Sequence, residues 1–144
     1  MRRPVPLLIA CAALISCEAP DTKMGVEVED ARITLPAVRG RPGAAYFTIR
    51  AARPVVLSGV SSPRAQRIEL HESMAAGMAP LQELSLQAGD RLEFAAAGKH
   101  AMLFGVDPRL KEGEQAPLTF TFQGAPPVTV QADVLGPGGA HGEH

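Results

Sequence analysis

Two histidines and two methionines stand where their side chains could meet on one metal ion. His100 and Met102 lie within the 99–106 run Lys-His-Ala-Met-Leu-Phe-Gly-Val, which reads as a strand, and residues two apart on a strand point to one face. The imidazole and the thioether are therefore expected as neighbours. His71 and Met78 make a second soft pair, with Met74 between them, in a segment that follows the strand-like run 66–70 and reads as a solvent-facing loop. Thioethers select Cu(I), whereas zinc and iron sites are usually built from thiolate, imidazole and carboxylate. His71, Met78, His100 and Met102 together are a copper set, with Cu(I) the favoured state. Each also has an ordinary structural role open to it, since methionine fills gaps in cores and histidine can be a satisfied polar group on a strand. The Ala- and Gly-rich surroundings of Met74 and Met78 make a core role weak there.

The front of the chain bears on the compartment. Residues 1–4 form a short basic start, and residues 5–15 are an apolar run of the length of an export signal, too short to span a membrane. The run ends in Leu-Ile-Ser-Cys at 14–17, which resembles the bacterial lipoprotein signal, in which the cysteine becomes the lipidated first residue. Cleavage nearby by a general export peptidase is the competing reading. The expected organisation is a lipoprotein signal peptide at 1–16, a linker at 17–23, a folded domain at 24–135 and a Gly- and His-containing tail at 136–144. The expected location is the periplasmic face of a bacterial cell envelope, with the membrane held through lipid on Cys17.

Cysteine usage then limits the chemistry. Cys11 falls in the discarded signal and Cys17 would carry lipid, so the domain has neither thiol nor disulfide. A blue-copper centre, a Cys-based zinc site and a cysteine nucleophile are all excluded. Loss of Arg2 and Arg3 with the signal lowers Lys plus Arg from 14 to 12 against 15 acidic residues, a formal net charge of −3. No basic face for nucleic acid is indicated.

The elements that must position the four residues are short strands. Segments 26–35, 45–50, 55–60, 66–71, 81–86, 91–94, 101–106, 118–122 and 128–134 read as strands, separated by Pro and Gly. Leu118, Phe120 and Phe122 alternate with Thr119 and Thr121, as half-buried strands should. Close, even spacing with no long helical period argues for an all-β antiparallel sandwich or barrel in one domain.

From residue 67 to 134 the chain resembles the periplasmic copper chaperone family of the PCu(A)C type. The resemblance is carried by Ile-Glu-Leu-His-Glu-Ser at 68–73, Met-Ala-Pro-Leu at 78–81, Gly-Lys-His-Ala-Met-Leu at 98–103, Leu-Lys-Glu-Gly at 110–113 and Leu-Thr-Phe-Thr-Phe at 118–122. Upstream, Ala-Ala-Tyr-Phe-Thr-Ile at 44–49 resembles the family's first core strands. The resemblance implies a cupredoxin-like Greek-key β-sandwich holding copper through a His, Met, His-x-Met set. The family's 21-residue interval before the His-x-Met pair is matched by residues 79–99, which assigns Met78 rather than Met74. The interval from His71 to Met78 is four residues shorter than the family's, so the place of His71 depends on how that segment closes. The partner implied is a copper-accepting protein, such as a cytochrome c oxidase subunit or another chaperone.

Other chemistry is thin. No Gly-x-Ser-x-Gly elbow, P-loop or dinucleotide fingerprint is present, so no enzyme activity is expected. His141 and His144 read as a solvated tail with at most weak metal affinity. Two readings stand: a copper carrier, in which the four residues converge, and a metal-free β-sandwich lipoprotein acting as a binding or scaffold module, in which they do not.

Overall fold

Alternating apolar and polar side chains build ten strands in the computed structural model, which describes residues 25–139. They are β1 (Val26–Thr34), β2 (Gly43–Ala51), β3 (Val55–Ser61), β4 (Ala65–Met74), β5 (Gly77–Leu81), β6 (Leu84–Leu86), β7 (Arg91–Phe94), β8 (Lys99–Val106), β9 (Gln115–Gln123) and β10 (Val128–Leu135). The export signal at 1–16, Cys17, the 17–23 linker, His141 and His144 lie outside the described residues.

The strands hydrogen-bond in the order β5-β4-β8-β7-β2-β1-β10-β9-β3-β6, and β8 also pairs with β2. Most neighbours are antiparallel; β1 runs parallel to β10 and β7 parallel to β8. This ribbon folds over itself, so that β2 and β7 face β9 across a shared core. The rings of Phe47 and Phe94 stack with centroids 4.4 Å apart, and Phe120 meets Phe47 edge-on at 4.7 Å. Such aromatic pairs add to the free energy of burying the rings. The all-β sandwich expected from strand spacing is thus the architecture observed.

Two bulges bend the ribbon and reverse its phase. In β1, Val26 faces inward before an irregularity between Glu29 and Arg32, and Ile33 faces inward after it. Asp30 sits there at φ 53°, a left-handed conformation that Asp tolerates better than most side chains. β3 does the same between Leu57 and Gly59, so Leu57 and Val60 both reach the core.

Two expectations about boundaries change. The 81–86 strand is divided, because β5 pairs with β4 whereas β6 has crossed to β3. The expected 71–78 loop is a β-hairpin instead: β4 continues to Met74, Ala75 and Ala76 turn, and β5 begins at Gly77. Gly77 has φ 124°, which L side chains rarely adopt.

Truncating the ring that links the layers is expected to be costly. Phe120→Ala should lower the urea-unfolding free energy by about 3–5 kcal/mol, and a loss below about 1 kcal/mol would show that the layers do not pack through this trio.

Candidate metal centre

The β5-β4-β8 segment has one face on the core and one turned outward. On β8, Ala101 and Leu103 are fully buried, which sends His100, Met102 and Phe104 to the outer face. β4 is paired so that His71 stands opposite His100 and Glu69 opposite Met102, while Leu70 meets Ala101 on the core side. On β5, Pro80 pairs with His71 and Met78 with Ser73, two positions along the same outer face. The strand register therefore places His71, Met78, His100 and Met102 on one face. Met74 is one residue out of phase with His71 and Ser73 and falls on the other side of the hairpin.

The short 71–78 interval is accommodated by the hairpin itself. His71 does not sit in a loop folded over the strand ends; it is a strand residue directly beside His100, with ring centroids 6.1 Å apart and planes 21° apart. Met78 reaches diagonally past Ser73, and its Sδ lies 3.3 Å from Nε2 of His100. The residues beneath this path are small: Ser73 on β4, whose amide donates to the Gly98 carbonyl at 3.2 Å, and Gly98 itself.

Hydrogen bonding fixes what His100 offers. Its Nδ1 is 3.1 Å from the Gly98 carbonyl, and a carbonyl can only accept, so Nδ1 carries the proton. In the neutral ring Nε2 is then a bare lone pair. That lone pair faces a thioether sulfur, which is itself a donor of electrons to a metal. Two soft donors aimed at each other fit a shared metal ion better than they fit a hydrogen bond. His100 is 8% exposed and Met78 58%, so one donor is fixed in the sheet and the other is open to solvent.

His71 is held differently. Its Nε2 lies 3.2 Å from a carboxylate oxygen of Glu69, and its Nδ1 is buried without a partner among the described residues. Glu69 is in turn gripped by Arg67 at 2.7 Å, and the Arg67 guanidinium lies 4.0 Å above the Phe104 ring. The hydrogen bond from Arg67, and after it that from His71, holds the Glu69 carboxyl below the usual carboxylate range. Among the described residues no three or more His, Cys, Asp or Glu side chains are grouped to hold a metal ion. A metal held on this face would take thioethers among its donors. Reading the sequence missed Glu69, Arg67 and Ser73, although the period-2 phase from His71 places Glu69 and Ser73 on its face.

Comparison with known proteins follows the same lines. The LpqE-like family model matches residues 26–134. Among solved structures, the copper-bound PCuAC domain from PmoF2 is 24% identical, with 78% of this chain and 94% of that domain covered at TM-score 0.68. The apo PmoF2 PCuAC domain gives 23% identity, 82% and 95% coverage and TM-score 0.71. The solution structure of CuI-DR1885 from Deinococcus radiodurans is 28% identical, covers 73% of this chain and 74% of that one, and gives TM-score 0.62. Among curated proteins no sequence match is significant. The fold is that of PCuAC domains.

Ser73→Leu should obstruct the path of the Met78 side chain. Nuclear Overhauser contacts between the Met78 methyl and the His100 ring are expected in the parent and lost in this variant, with the core amide spectrum unchanged. Contacts that survive the substitution would show that the thioether reaches His100 by another route.

Proposed function

The chain belongs to the LpqE-like family, and from that membership, together with the donor geometry of the outer β5-β4-β8 face, we propose that it is a copper carrier of the cell envelope. Its cargo is a single Cu(I) held by His71, Met78, His100 and Met102. The observation that carries this reading is the 3.3 Å approach of His100 Nε2 to the Met78 sulfur. The copper-bound PmoF2 domain and CuI-DR1885 share its fold, which supports copper as the metal. The metal-free scaffold reading expects the four residues not to converge; the shared outer face of His71, Met78, His100 and Met102 supports the copper reading over it.

Neutral thioether and imidazole donors suit a carrier outside the cytoplasm. They match a soft cation and avoid a thiolate that would be oxidised. The exposed Met78 is the donor that an acceptor can replace first, with the buried His100 keeping hold until exchange is complete. The acceptor is a copper-accepting protein, and cytochrome c oxidase copper centres are the acceptor that the PCu(A)C resemblance implies. Carriage of this kind involves no catalytic group.

Anaerobic titration of the domain with Cu(I) is expected to show one tight site. Met78→Leu and Met102→Leu preserve size and apolarity, so the fold should persist while affinity falls by about 100-fold or more, given that losing even an outer-shell partner costs about 10–100-fold. Unchanged affinity in both variants would overturn the assignment.

Anchoring through Cys17 completes the proposal, supported by the Leu-Ile-Ser-Cys sequence at 14–17 and by a family named for a lipoprotein. Cys17→Ala is expected to move the protein from the membrane fraction to the soluble fraction or to block its processing. Normal membrane association of that variant would contradict it.

A further inference from the structure

The two histidines present opposite nitrogens. His100 gives its Nδ1 proton to the Gly98 carbonyl and keeps a lone pair on Nε2. At His71 the carboxylate of Glu69 stands against Nε2 at 3.2 Å, and that carboxylate, whose other oxygen already accepts from Arg67 at 2.7 Å, accepts here too. The Nε2 of His71 therefore carries the proton. Its Nδ1 is left unprotonated in the neutral ring, and that is the nitrogen found buried with no partner among the described residues. A buried acceptor without a hydrogen bond is costly, on the order of 1–3 kcal/mol, and calls for an explanation in what the site binds.

We propose that Glu69 is a positioning residue for the metal, which commits His71 to coordinate through Nδ1 while His100 coordinates through Nε2. The inference rests on the copper reading and deepens it. Arg67 belongs to the same device. Its guanidinium is steadied on the Phe104 ring and donates to one oxygen of Glu69, leaving the other for His71. All of these side chains leave β4 and β8 on one face, at positions paired across the two strands. A carboxylate behind a ligating imidazole fixes the ring's orientation and strengthens its donor nitrogen, and loss of such a partner typically costs about 10–100-fold in metal affinity.

Nitrogen-15 NMR of the imidazoles tests the assignment. In the apo protein the Nε2 proton of His71 should be observable and protected from solvent exchange. Addition of Cu(I) should shift His71 Nδ1 and His100 Nε2, with both opposite N–H groups retained. Glu69→Ala should expose the His71 Nε2 proton to rapid exchange and weaken Cu(I) binding by about 10–100-fold, whereas Glu69→Gln, whose amide oxygen still accepts, should recover most of both. A Cu(I)-induced change at His71 Nε2 instead of Nδ1, or a Glu69→Ala variant with parental exchange and affinity, overturns the assignment and leaves the copper reading standing. No Cu(I)-induced change at either ring overturns both.

Discussion

Leu70 against Ala101 and Ile68 against Leu103 on the core side of β4 and β8 force His71 against His100 and Glu69 against Met102 on the outer side. Side chains on a strand alternate with a period of two, so a slip of one residue in this pairing would turn His71 toward the core and Leu70 toward water. The apolar residues that stabilise the sandwich thus also set the geometry of the candidate donors. Met78 depends on the same constraint at one remove, since the two-residue turn at Ala75 and Ala76 fixes β5 against β4. The cross-strand ion pair of Lys99 with Glu72 at 2.8 Å lies immediately beside the two histidines and closes the end of the β4–β8 ladder.

A site built this way combines a rigid half with an open half. His100 is embedded in the sheet and its ring is pinned by the Gly98 carbonyl, which also accepts the Ser73 amide. Donors on strands are held more closely than donors on loops. Met78, at the other extreme, sits near a hairpin tip with most of its side chain in solvent. On the proposed copper reading this asymmetry suits transfer, with a buried nitrogen to keep the ion in place while an exposed sulfur is exchanged.

Much of this was legible in the sequence because it depends on period. The His-x-Met spacing puts His100 and Met102 on one face wherever the strand lies, and alternation in 118–122 and 128–134 marked real strands. The bulges in β1 and β3 were not legible, because each breaks the period that reveals a strand, and Asp30 with Ala31 carries no strong turn signal. The 71–78 segment misled for a related reason. Its turn is made by two alanines, with Gly77 the only residue that marks reversal, so an Ala-rich strand end looked like a loop. The Glu69–His71 pairing lay within reach of simple phase counting, but its consequence did not. Which nitrogen of an imidazole is protonated depends on partners that only the three-dimensional arrangement supplies.

The donor set is the point on which the copper carrier stands. X-ray absorption at the copper edge of the Cu(I)-loaded protein reports the identity of the atoms bound to the ion. A mixed shell of two sulfur and two nitrogen donors is the expected result, with one sulfur lost in Met78→Leu. A shell of nitrogen and oxygen alone, or one unaltered by that substitution, would contradict the site.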